Sequence, residues 1–218
     1  QELQMPDTPD RSTQGRTGRP KSEAKSEAIL NAATKLFLAK GFQGTSMDAV
    51  AREAGVSKQT VYSHFANKET LFVACIGAKV AHYGFDEAAG VDDSDLRQAL
   101  LTVVHRFTDL LFDPEVVAVY RVVLSESTGQ PHIGSLFFDN GPKRTKSAIC
   151  EFLRQQVAKG RLRVSEERLL YATGQLLNMS VGIFQWSLLF GLQDSIDDSE
   201  LAAHLERVVD DFLTLYAV

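Results

Sequence analysis

The sequence predicts an all-α protein, with a small N-terminal three-helix unit containing a helix-turn-helix and a larger C-terminal helical bundle, about nine helices in all. Three observations carry this expectation. No stretch alternates apolar and polar residues for long enough to make a strand. Between Thr45 and Phe65 two short apolar patterns are separated by a tight break at Gly55, as two steeply crossing helices require. Finally, charge is divided along the chain. The net charge of −5 argues against a nucleic-acid partner, yet residues 1–83 hold 11 Lys+Arg against 8 Asp+Glu, and residues 84–218 hold 12 against 20. A basic end joined to an acidic remainder is expected when only one end meets phosphates. A length of 218 residues, 44% hydrophobic and 23% charged, allows one or two ordinary globular domains.

Taken in order, residues 1–21 show no hydrophobic period and read as a disordered tail. Arg16, Arg19 and Lys21 make it either a solvated basic tail or an arm that enters the minor groove. A first helix from about Ser22 to Lys40 turns Ile29, Ala32, Ala33, Leu36 and Phe37 inward, and Gly41 stops it. Met47, Val50, Ala51 and Ala54 then mark one face of a second helix, capped by Ser46. Gly55 supplies a left-handed turn, and Ser57 caps a third helix in which Val61 and Phe65 face inward. Lys58, Gln59, Thr60 and Ser63 are left to point outward from a short polar helix that can enter a major groove. Asn67 caps a fourth helix running to about Glu87, which links the helix-turn-helix unit (22–66) through a connecting segment (67–90) to the rest (91–218).

The acidic part predicts further helices over Ser94 to Phe112, Glu115 to about Ser127, a short piece between loops within 129–142, and Lys143 to Lys159. A long apolar helix capped by Ser165 runs to Gly191, and a last one follows Asp197. In the last helix Leu201, Leu205, Val208, Phe212 and Leu215 recur by four and three, a coiled-coil-like stripe. These two helices offer either core faces or an oligomer interface through Leu176, Ile183, Leu201, Leu205, Val208 and Phe212. His105, Phe107, Asp109, Tyr120, Arg121, Phe137, Phe138, Phe184 and Trp186 are candidates either for core packing or for a pocket holding an apolar or aromatic compound.

The segments AILNAATKLFLAKGF, TS and DAVAREAGVSKQTVYSHFANKETLF resemble the DNA-binding domain of the TetR family of transcriptional regulators. The carboxyl half, from VYRVVLSES through FLRQQVAKGRLRV, resembles the AefR-like branch. Gln59 stands where many members carry Gly. The resemblance implies phosphate contacts from Thr45, Ser46 and Lys68 and backbone contacts from Tyr62 and His64. It also implies a homodimer paired through its last two helices. Lys58, Gln59 and Thr60 are the expected base-edge contacts, since Gln can pair adenine twice and Lys can donate to guanine.

The expected function is that of a homodimeric, cytoplasmic DNA-binding regulator, a repressor released from a near-palindromic operator by a small-molecule effector. The alternative is a DNA-binding regulator without an effector, controlled by a protein partner or by abundance. Nucleophile elbow, P-loop and dinucleotide motifs are missing, and neither Cys75, Cys150 nor the histidines have metal-ligand spacing, so no catalysis, metal or cofactor is expected. The segment Leu176–Leu192 is interrupted by Asn178, Ser180, Gln185 and Ser187, so no membrane partner is expected.

Overall fold

The computed structural model describes residues 19–85 and 91–218. Arg16 of the expected arm lies outside the described residues. Helix α1 (Arg19–Lys40) begins earlier than the hydrophobic period suggested, so Arg19 and Lys21 belong to its first turn and not to an extended tail. Then come α2 (Met47–Glu53), α3 (Lys58–His64) and α4 (Lys68–His82). Each of these three starts on a side-chain cap, with Ser46, Ser57 and Asn67 accepting from the N–H groups of Ala49, Thr60 and Thr70. Phe37, Phe42 and Phe72 form an aromatic knot, with ring centroids 5.2–5.8 Å apart, that joins α1, the α1–α2 turn and α4. Ile29, Val50, Val61 and Leu71, all fully buried, complete the small core.

Seven more helices follow: α5 (Leu96–Phe112), α6 (Pro114–Ser127), α7 (Pro131–Asn140), α8 (Pro142–Ala158), α9 (Glu166–Val181), α10 (Phe184–Leu189) and α11 (Asp198–Tyr216). Asp95, Asp113 and Asp197 cap α5, α6 and α11, whereas Ser165 makes no side-chain cap bond. The loops expected around residues 129–142 are nearly consumed by α7, which only Gly141 separates from α8.

The all-α architecture is as expected, but the described residues form eleven helices where about nine were expected: the short piece within 129–142 is the full helix α7, and the anticipated run from Ser165 to Gly191 is broken at Gly182 (φ 45°, ψ −136°). The break frees the Met179 carbonyl, which lies 2.8 Å from His204 Nε2 on α11, so the imidazole donates there. A hydrophobic period cannot report a break made by one residue and repaired from another helix.

The expected oligomer stripe also needs correction. Leu176, Leu205 and Phe212 are completely buried within the single chain, and Val208 and Leu201 are nearly so. Helix α11 lays this stripe against α5 and α9, which makes it core. Of the six interface candidates, only Ile183 is exposed, at 74%.

Candidate DNA interface and effector cavity

The α2–Gly55–α3 turn presents α3 to solvent. Lys58 and Gln59 are exposed in its first turn, with Thr60 half-buried behind them, and Ser63 and Tyr62 are exposed one turn on. Lys58 Nζ pairs with Asp48 of α2 at 2.8 Å and stands 5.9 Å from the Tyr62 ring centroid. The pair holds the cation at the mouth of the two-helix unit and pushes the Lys58 pKa up, chiefly through the hydrogen bond to Asp48. Thr60 Oγ1 and Ser57 Oγ are hydrogen-bonded at 2.8 Å, which fixes the start of α3. His64 is half-buried beside Phe65.

Two predicted phosphate ligands make hydrogen bonds inside the fold. Thr45 is 2% exposed and its hydroxyl donates to the Gly41 carbonyl at 2.8 Å, so it locks the α1–α2 turn. Lys68 Nζ donates to the Phe42 carbonyl at 2.7 Å and sits 4.4 Å from that residue's ring centroid. Burial, only partly offset by the charge of Glu126, lowers the Lys68 pKa. Ser46 remains exposed and caps α2.

The turn after α1 is held from the acidic part of the chain. The Phe42 N–H donates to Glu126 Oε1 on α6 at 2.8 Å. Gln43 Nε2 donates to Gln130 Oε1, and the ring of His132 on α7 lies 6.4 Å from that of Phe42. At the other end of α4, Tyr83 Oη donates to Asp113 at 2.7 Å, while Lys79 bridges Asp113 and Glu115 at 2.9 and 2.8 Å. Burial alone would raise the Asp113 carboxyl, but hydrogen bonds from Lys79, Tyr83 and the Val116 amide hold it below its usual value. Helix α4 is therefore fastened near both its ends, close to α7 at its start and to the α5–α6 corner at its close.

Between these fastenings lies a cavity of about 1410 Å³. Phe107, Tyr120 and Phe137 line it, with the half-exposed Phe138 also on its wall. Tyr120 and Phe137 meet edge to face at 4.8 Å, and burial pushes the Tyr120 phenol up to about 12. The other five pocket candidates are absent from the wall. Phe184 packs on His204 and Phe112, Trp186 is 55% exposed and stacked on Phe190, and His105 faces elsewhere on α5. Asp109 and Arg121 complete the five, and the Arg121 guanidinium instead donates to the Leu188 and Leu189 carbonyls of α10.

The sequence missed that α1 and α4 supply a large share of the lining, through Leu30, Thr34, Phe72, Cys75 and Lys79. Burial raises the Cys75 thiol to about 11, which makes it a poor nucleophile. Thr145, a polar residue in the apolar stripe of Ile149 and Phe152 on α8, was a signal that could have been read. Among the described residues no group of three or more His, Cys, Asp or Glu side chains is gathered as a metal site, and no helix is long and apolar enough to cross a membrane.

Comparison with known proteins places this geometry. Residues 29–75 match the family model described as bacterial regulatory proteins, tetR family, and residues 98–218 match that of the AefR-like transcriptional repressor, C-terminal domain. The chain belongs to the TetR family. Both matched models describe transcriptional regulators. Among solved structures, a TetR-family regulator from Mesorhizobium loti superposes with a TM-score of 0.75 at 27% identity, over 91% of this chain and 99% of that one. The flavonoid-responsive regulator FrrA gives a TM-score of 0.71 at 28% identity, over 89% and 98% of the two chains. The HTH-type transcriptional regulator YdeS of Bacillus subtilis is 42% identical over 60 residues, 28% of this chain and 30% of its own length. Indeed, the chain spans less than half the length of the first curated relatives it matches.

Proposed function

We propose that this TetR-family protein is a homodimeric repressor whose grip on a near-palindromic operator is released by a small molecule held in the 1410 Å³ cavity. One observation carries the reading: the cavity wall is shared between α1 and α4, which belong to or abut the DNA-reading head, and α5 to α9 of the body. A compound filling it contacts both parts at once, so it binds more tightly to one head position than another, which is the requirement for coupling. The similarity to FrrA, a flavonoid-responsive regulator, supports a small-molecule effector.

For the partner copy the reading assigns a surface that the sequence stripe did not indicate. Ile183, Trp186, Phe190 and Leu192 are 55–74% exposed around α10. A patch of this kind marks an interaction site. Phe190→Asp is expected to convert dimers to monomers in analytical ultracentrifugation and to weaken operator binding, while leaving helix content unchanged. A monomeric wild-type protein would overturn this part of the reading.

The operator can be obtained by selecting duplexes from a randomised pool. An inverted repeat with half-sites about one helical turn apart, or a multiple of it, is expected. Gln59→Ala should cost about 1–3 kcal/mol on that site and relax preference at one base position, measured by binding to single-base variants. A uniform loss across all sequences would show that Gln59 reads no base. Compounds that raise the melting temperature should then lower operator affinity. Stabilising compounds without effect on the DNA complex would leave a regulator without an effector.

A further inference from the structure

We propose that the cavity selects an anionic amphiphile, an apolar body ending in one carboxylate, whose oxygen accepts a hydrogen bond from Thr145 Oγ1 and whose charge is met by Lys146. The proposal rests on the ligand-gated reading above and names the chemistry of its ligand.

Thr145 is 2% exposed, lines the cavity, and its hydroxyl has no hydrogen-bond partner. A buried threonine on or beside a helix ordinarily returns its hydroxyl to the carbonyl four residues back. Thr108 does so to Val104 at 3.1 Å, Thr173 to Leu169 at 2.8 Å and Thr45 to Gly41 at 2.8 Å. At Thr145 the corresponding carbonyl, that of Gly141, takes the backbone N–H at 2.9 Å and not the hydroxyl. A buried hydroxyl left unpaired is costly, and a ligand oxygen in the cavity would recover that cost once the Thr145 side chain turns toward it.

The neighbouring Lys146 lines the same cavity and is half-buried. Its ammonium lies over Gly174 of α9, 3.4 Å from where a Cβ would stand. The other lysines on the wall are neutralised: Lys79 by Asp113 and Glu115, Lys143 by Asp139 at 2.9 Å, and Lys35 by Glu53 at 2.5 Å. Among the described residues no carboxylate pairs with Lys146. Glu27 also borders the cavity, but it is exposed on α1, where water solvates it. The remainder of the wall is largely apolar, through Leu110, Val116, Phe137 and Leu177, and suits the hydrocarbon or aromatic body.

The test uses the full chain and isothermal titration at neutral pH. Straight-chain carboxylates from octanoate to hexadecanoate, and 2-naphthoate, are each compared with the methyl ester and the amine of the same skeleton. An acid is expected to bind about tenfold more tightly than its ester. Lys146→Met should abolish that preference and leave ester binding unchanged. Thr145→Val keeps the shape and should weaken the acid while leaving the unliganded melting temperature equal or higher, an outcome that a purely structural hydroxyl would not give. Esters binding as well as acids, amines binding best through Glu27, or variants that keep the acid preference would each overturn the anion selectivity alone. If no skeleton binds in any of its three forms, the ligand-gated reading falls with it.

Discussion

Phe212→Ala is expected to destabilise the protein by about 3–5 kcal/mol, by an amount that does not vary with protein concentration. Phe212 is completely buried in the single chain, with its ring 4.9 Å from that of Tyr216 and its helix packed on α5 and α9. Truncation removes the transfer energy of the ring and leaves a void that rigid helices close only in part. Had the four-three stripe of α11 been a dimer seam, the loss would be felt through association, and dilution would enlarge it. Urea unfolding of wild type and variant at widely different concentrations separates the two. The same experiment on Phe190→Asp should show the opposite pattern, with the difference from wild type depending on concentration.

Gly41→Ala should cost about 2–5 kcal/mol, against about 1–2 kcal/mol for Gly55→Ala, although the two glycines share nearly the same backbone. Their φ values are 72° and 66°, so each alanine pays the left-handed penalty. At Gly55 nothing lies within 4 Å of the added Cβ, and that penalty is the whole cost. At Gly41 the Cβ would stand 1.9 Å from Glu126 Oε1, the atom that accepts the Phe42 N–H. The carboxylate must swing away, which leaves a part-buried amide without its acceptor. Denaturant melts give the magnitudes, and amide hydrogen exchange gives the cause. The Phe42 N–H should exchange faster in Gly41→Ala and remain protected in Gly55→Ala. Equal costs would mean that the Glu126 contact contributes nothing.

These variants show where sequence was informative. The helix-turn-helix was legible because its signals are local: caps at Ser46, Ser57 and Asn67, a positive-φ glycine between them, and apolar residues spaced at one helical face. The bundle was legible as helices for the same reason. What periodicity cannot say is which neighbour an apolar face meets. Leu205 and Phe212 read equally well as seam or core, and only the packing of α11 on α5 and α9 decides. The cavity was half legible, since the aromatic residues Phe107, Tyr120 and Phe137 are conspicuous while Trp186 is equally conspicuous and lies outside. Its α1 and α4 wall was invisible, because those residues look like ordinary inner-face positions of helices assigned to another task. Lys68 and Thr45 fit a phosphate-binding pattern, and no spacing in the sequence shows that each also donates to a carbonyl inside the fold, at 2.7 and 2.8 Å.

Phe42 is grasped from opposite sides. Its N–H is held by a carboxylate of the body and its carbonyl by the ammonium that opens α4, while its ring is wedged against Phe37 and Phe72. A single residue thereby serves as the yoke between two rigid parts: any tilt of α6 against α1 must stretch one grip or slip the wedge. The mechanical slack between head and body thus depends on the geometry of this one peptide unit together with the Lys79 and Tyr83 fastenings at the other end of α4.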